Sequence, residues 1–252
     1  MQISCNILNP SFFLKHMKSV AEFCDEGFIH FDNGIRFIGI DPSRIAVMEL
    51  LMANDVVESD SKNKLSAPVK LWDLAKVIAR FKNPKELELA YDESTNKITI
   101  RGVIGKKKKT FKLPTIDIDE NLEDPLPALA KIKYNAIFKV GSDLLLDVIK
   151  DGELFAESVR FSTHNTILIV STYGVGGENI SEIDTGNEIY GKEKTRYSIK
   201  YLKKILTPMG STDILIMFKS DYPIAIRDKL SEKSHMLYYL APIVDDEERP
   251  DY

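Results

Sequence analysis

Gly34–Leu50 reads GIRFIGIDPSRIAVMEL. Ile35, Phe37, Ile38 and Ile40 make one β-branched and aromatic run, and Ile45, Ala46, Val47, Met48 and Leu50 make a second. Between them, Asp41-Pro42-Ser43-Arg44 supplies an acceptor side chain to open a turn and a proline that presets φ at its second position. The stretch is a hairpin whose strands are apolar enough to be largely buried. It holds no reactive site, and the rest of the chain reads as repeated support for it.

Upstream, the residues from Ser11 to Asp25 predict a helix with Phe13, Met17, Val20 and Cys24 on one face and Lys15, Lys18 and Glu22 on the other. Phe28 to Phe31 is a short strand, turned into the hairpin by Asp32-Asn33-Gly34. Downstream, the polar residues 54–66 read as a loop. A second helix is expected from Val69 to Lys82, with Leu71, Leu74, Ile78 and Phe81 inward and Asp73, Lys76 and Arg80 outward. Strands follow at 86–91, 97–103 and 110–113, with Gly105–Lys109 as a basic loop between the last two. The segment 114–133 carries three prolines, many acids and no clean period, and reads as a linker.

Beyond the linker the first half begins again. A helix over 142–150 ends near Gly152, a C′ glycine. Strands follow at 157–162 and 166–172, then a helix over 198–207 with Ile199, Leu202 and Leu206 on one stripe. Strands at 214–218, 224–227 and 236–244 complete the half, and 245–252 is an acidic tail. Helix, strands, helix, strands recur in the same order about 130 residues apart, so two copies of one α+β unit is the economical reading.

Composition fits this. With 252 residues, 44% hydrophobic and 29% charged, the chain can bury a sizeable core. No apolar run approaches the ~20 residues that span a bilayer, and no secretory signal is visible at the N-terminus. Cys5 and Cys24 stand alone and read as reduced core thiols of a cytosolic-type compartment. His16, His30, His164 and His235 are scattered, without HExxH or paired zinc cysteines. Gly174-Val175-Gly176-Gly177 lacks the Lys-Ser/Thr of a P-loop and reads as a glycine turn. No catalytic constellation emerges, and neither a metal nor a cofactor is expected.

The positive charge is unevenly placed. Lys15, Lys18, Lys76, Arg80, Lys200, Lys203 and Lys204 all lie on outward helix faces, and without these seven the formal balance falls from −4 to −11. Such faces attract a phosphate backbone without reading bases. The helix over 142–150 departs from the pattern, with Asp143 and Asp147 beside Lys150.

Three short stretches resemble a known family. Gly39-Ile40-Asp41-Pro42-Ser43-Arg44-Ile45 resembles a turn of DNA sliding clamps of the PCNA type, particularly archaeal ones. Tyr238-Tyr239-Leu240-Ala241-Pro242 resembles the family's C-terminal strand, and Lys112-Leu113-Pro114-Thr115-Ile116-Asp117 the start of its interdomain connector. The duplicated layout covers essentially the whole chain.

The resemblance implies the DNA clamp fold: α+β, two similar domains at 1–114 and 134–244 joined by a connector at 115–133, each with two helices packed on antiparallel sheets. It implies a pseudo-sixfold ring of three subunits around double-stranded DNA, bound without sequence preference, and a non-enzymatic processivity factor within the cell (cytoplasm or nucleoid if archaeal, nucleus if eukaryotic). The subunit interface it implies joins Thr110, Phe111, Lys112 and Leu113 to Asn179, Ile180, Ser181, Glu182 and Ile183 of the next chain. It also implies an apolar pocket for PIP-box motifs of DNA polymerase, flap endonuclease, DNA ligase and the clamp loader. Carried over by position, Ile40, Arg44, Ile45 and Val47 would form it with Leu126 and Leu129 of the connector and Pro223, Tyr239, Leu240, Ala241 and Pro242. The family more often has His at the position of Arg44. Two alternatives stay open at this stage: one subunit of a heterotrimeric or checkpoint-type clamp, and a β-rich enzyme with a duplicated domain.

Overall fold

The computed structural model describes residues 1–60, 64–117, 124–186, 189 and 192–244; the expected acidic tail at 245–252 and the middle of the linker lie outside them. The chain divides into two compact units, Met1–Ala130 with Arg227–Tyr238, and Lys131–Ile226 with the residues from Tyr239 on.

In chain order the first stretch runs β1 (Gln2–Ile7), α1 (Pro10–Phe23), β2 (Glu26–Phe31), β3 (Gly34–Ile40), β4 (Ala46–Ala53), β5 (Val57–Ser59), β6 (Leu65–Lys70), α2 (Leu71–Ile78), β7 (Glu86–Asp92), β8 (Lys97–Ile104), β9 (Lys107–Pro114) and the short α3 (Leu126–Leu129). The second runs β10 (Ala136–Gly141), α4 (Ser142–Glu153), β11 (Ser158–His164), β12 (Ile167–Gly174), β13 (Gly177–Asp184), β14 (Lys194–Ser198), α5 (Ile199–Leu206), β15 (Asp213–Phe218), β16 (Ile224–Lys229) and β17 (His235–Leu240).

In the first unit the expected hairpin is β3 paired with β4, in a register that sets Ile40 opposite Val47 and Ile35 opposite Met52. Its turn closes by an Arg44 N–H donating to the Asp41 carbonyl at 2.8 Å. The buried Asp41 carboxylate accepts from the N–H groups of Ser43, Ile45 and Ala46. One side chain thus satisfies three backbone donors and holds Arg44 at φ 56°. The preceding turn puts Gly34 at φ 147°, where a Cβ would lie 2.2 Å from the Met52 carbonyl oxygen, so only glycine fits.

This hairpin belongs to an antiparallel run β17-β4-β3-β2-β6, and a second sheet has the order β5-β1-β7-β8-β9. Helices α1 and α2 pack on each other. Asn9 caps α1 by accepting from Phe12 N–H at 3.1 Å, and Phe13, Met17, Val20 and Cys24 are fully buried as their spacing predicts. Both cysteines are free and buried, and desolvation pushes the Cys24 thiol up to about 12.

Three expectations need correction here. The second helix is only Leu71–Ile78, because Leu65, Ala67 and Val69 alternate inward as strand β6. The polar loop at 54–66 contains β5, which pairs with β1. The basic loop at 105–109 is a tight turn at Gly105 (φ 59°) followed directly by β9, with Lys107, Lys108 and Lys109 already in the ladder.

The second unit repeats the plan. Its sheet β13-β12-β11-β14 matches β4-β3-β2-β6, β10-β15-β16 matches β1-β7-β8, and α4 packs on α5 as α1 does on α2. The expected glycine turn closes β12 onto β13, with Gly174 opposite Gly177. Gly152 lies inside α4 and is not its C′ residue; a Cβ there would meet the Thr172 methyl at 2.7 Å, so its small size serves helix–sheet packing. Ile199, Leu202, Ile205 and Leu206 bury one side of α5. Chain duplication is therefore visible in pairing order as well as in element order.

Candidate nucleic-acid interface and docking elements

The outward helix faces carry their cations in two different states. Lys76 on α2 and Arg80 just past its end are exposed, and Lys76 sits 3.8 Å from Asp73 and 5.0 Å above the Trp72 ring. On α5, Lys200 is exposed, whereas Lys203 is bonded to Glu153 at the end of α4 and Lys204 also has a partner. On α1, Lys18 is exposed, but the Lys15 ammonium lies 3.1 Å from the buried Asp228 carboxylate. Lys109 of β9 donates to the Arg80 carbonyl at 2.8 Å. Sequence reading places that lysine in a loop; the structure adds it to the α2 cations. Its partner lies 29 residues away, beyond any helical or strand period.

Asp228 also anchors His16, whose ring is wholly buried 3.1 Å from it and 4.3 Å from the Phe12 centroid. Desolvation pulls His16 below the ordinary imidazole value, so it is neutral and its Nε2–H donates to the carboxylate. Burial alone would raise Asp228, but His16 and Lys15 outweigh it and hold the carboxyl below its usual range. Both shifts favour the fold at high pH. The His16 contribution is complete above about pH 6.5, its unfolded value, and fades as pH falls toward the folded one; that of Asp228 fades below about pH 4. The urea midpoint is expected to drop between pH 7.5 and 5.5, and His16→Gln to flatten that drop. An unchanged pH slope in the variant would remove His16 from the account.

Strand β9 ends one sheet and β13 ends another. Neither is blunted by a pairing neighbour among the described residues. β9 presents Lys107, Lys108, Lys109 and Lys112, and β13 presents Glu178, Glu182 and Asp184. Beside the β13 edge, Ile180 is 54% exposed, and Leu154, Tyr173 and Val175 are exposed too. Apolar side chains of this size in the open are unusual for a surface with no partner.

Of the residues expected to dock a partner peptide, Arg44 and Ile45 stand exposed on the β3–β4 turn beside a half-buried Ile40. Val47 is buried in β4, and Leu240 is fully buried in β17. Leu126 is buried and Leu129 half-buried on α3; Tyr239 is buried, and Pro223, Ala241 and Pro242 are half-buried. Within the first unit, α3 is held by side chains that sequence reading does not single out. Asp124 accepts from Leu126 N–H at 2.9 Å and lies 3.6 Å from Arg36. Arg36 donates to Glu49, whose other oxygen accepts from His235 at 3.3 Å, and His235 Nδ1 accepts from Arg227 at 3.0 Å. Burial would raise Glu49, but His235 and Arg36 outweigh it and keep its carboxyl low. A hydrogen-bonded row across β3, β4 and β17 therefore reaches the start of α3, which carries Leu126 and Leu129, through the Arg36–Asp124 ion pair.

Duplicated two-helix units on antiparallel sheets, with cationic helix faces and open sheet edges, are the architecture that the resemblance in the sequence implies. The structure is similar to the crystal structure of PCNA from Thermococcus kodakaraensis, with a TM-score of 0.85 over 96% of this chain and 100% of that one at 19% identity. No protein-family model matches the chain. Over 238 residues it is 30% identical to the DNA polymerase sliding clamp of Thermofilum pendens, covering 90% of this chain and 93% of that protein. It is 29% identical over 242 residues to that of Nanoarchaeum equitans, with the same coverage. The chain belongs to the DNA polymerase sliding clamp family, whose members are processivity factors and not enzymes.

Proposed function

We propose that this clamp closes as a ring of three identical chains around duplex DNA and tethers replication and repair enzymes to it. The observation that carries the reading is the repeated pair of packed helices, α1 with α2 and α4 with α5, whose apolar stripes are buried while Lys18, Lys76, Arg80 and Lys200 remain open to solvent. Mobile contacts between such lysines and phosphates hold without reading sequence. A closed ring does not need to grip tightly to stay on.

The lysine edge β9 and the acidic edge β13 suit a head-to-tail, heterologous contact whose rotation closes. Thr110–Leu113 of one copy would pair with Asn179–Ile183 of the next. The clamp domains are 1–114 and 134–244, with 115–133 as connector, and an ATP-driven loader opens the ring inside the cell. Polymerase, flap endonuclease and ligase dock PIP-box peptides on Ile40, Arg44, Ile45, Leu126 and Leu129 of the first unit, with Val47 beneath them; Pro223 and Tyr239–Pro242 are the further positions that the family resemblance implies.

Calorimetric titration with a PIP-box peptide tests the tethering. Ile45→Ala and Leu129→Ala are each expected to weaken binding about tenfold, the effect of removing a docked aliphatic contact. Parental affinity in both variants would remove the pocket assignment.

A further inference from the structure

Tryptophan is highly buried on average, yet Trp72, the chain's sole tryptophan, is 49% exposed on α2. Its helix buries Leu71, Leu74 and Ile78, so the indole belongs to the opposite, open face. One turn on, the Lys76 ammonium lies 5.0 Å over the ring, a cation–π contact that restrains both side chains. Arg80 follows two residues past the end of the helix, and Lys109 is tied to its backbone carbonyl at 2.8 Å. The acid beside them, Asp73, is 3.8 Å from Lys76, and the cluster keeps a positive balance.

We propose that this face holds an unpaired nucleotide of single-stranded DNA, with Trp72 stacking on the base and Lys76, Arg80 and Lys109 receiving the flanking phosphates. An aromatic platform beside a cationic track is the chemistry that binds single strands without sequence preference. Bases inside a duplex have their faces covered, so duplex DNA meets the cations and leaves the indole unused. The clamp thereby distinguishes a template that is still single-stranded from one already copied. The inference rests on α2 facing DNA.

Because Trp72 is the sole tryptophan, the emission of the full chain reports it directly. Titration with an oligothymidylate is expected to quench it saturably, and a hairpin duplex with the same number of phosphates to quench it at most a fifth as much. By anisotropy of a labelled oligothymidylate, Trp72→Ala weakens binding about tenfold, from the loss of one stacked base, and Trp72→Phe recovers most of it. Equal quenching by duplex and single strand, or an unchanged affinity in Trp72→Ala, overturns the stacking. Retention of the wild-type chain on circular duplex is measured alongside. If the clamp is retained but single strands do not quench, only the stacking role falls. If neither occurs, the DNA-facing role of α2 falls with it.

Discussion

Val175→Asp combined with Ile180→Asp is expected to leave a folded monomer in place of the trimer expected of the wild-type chain. Val175 is fully exposed at the tip of the β12–β13 turn and Ile180 is 54% exposed on the β13 edge. Surface substitutions of this kind change the stability of a single chain by about 0.5 kcal/mol or less. If a second copy covers these side chains, each new carboxylate is buried without a partner, at a cost of several kcal/mol. Two such costs weaken association by a factor of about a thousand or more. Light scattering reads the outcome as three chain masses for the wild type and one for the variant, with matching circular dichroism. A variant that stays trimeric would move the interface elsewhere. A wild-type chain that is monomeric when pure would favour a ring built with other clamp chains.

The second large effect is expected from Lys76→Ala, Lys200→Ala and Lys203→Ala together. Clamp-stimulated DNA synthesis should fall about tenfold at physiological salt, equally on templates of any sequence, and the gap to the wild type should narrow as salt rises and screens the contacts that only the wild type has. Each phosphate contact removed lowers the slope of log affinity against log salt by about 0.9. Lys76 and Lys200, both exposed, should carry most of the change, because the Lys203 ammonium is already bonded to Glu153. Unchanged stimulation by the triple variant across a salt series would count against the cationic faces as the DNA contact.

Much of the fold is legible in local pattern. The β3–β4 hairpin, the buried stripe of α1 and the stripe of α5 follow from apolar spacing, and Asp41 and Gly34 act in their turns as their chemistry predicts. Misread segments have identifiable causes. The polar run 54–66 and the helical stripe from Leu71 on hide the short strand at 65–70. The inward alternation of Leu65, Ala67 and Val69 forms it at the end of its sheet, where the missing N–H of Pro68 costs no ladder bond. The lysines of 107–109 read as a solvated loop because β9 buries no residue fully; they line an open sheet edge, where charge guards against indiscriminate pairing. β1 and β10 alternate cleanly at Ile3, Cys5, Ile7 and at Ala136, Phe138, Val140, a signal that the shortness of the runs hides beside the longer helices.

The site residues were legible as chemical types and not as states. Sequence places Lys15 and Lys76 on equal terms, whereas the fold commits Lys15 to Asp228, 213 residues away, and leaves Lys76 at the surface. The row from Asp124 through Arg36 and Glu49 to His235 is invisible for the same reason, since strand pairing brings those groups together.

Retention on circular against linear duplex DNA tests the central claim most directly. After loading onto a nicked circle and gel filtration in moderate salt, the chain is expected to elute with the DNA. A single cut by a restriction enzyme should release it within the time needed to slide to an end. Equal retention before and after the cut, or no retention on the circle with an active loader present, would contradict a ring held on by its closure.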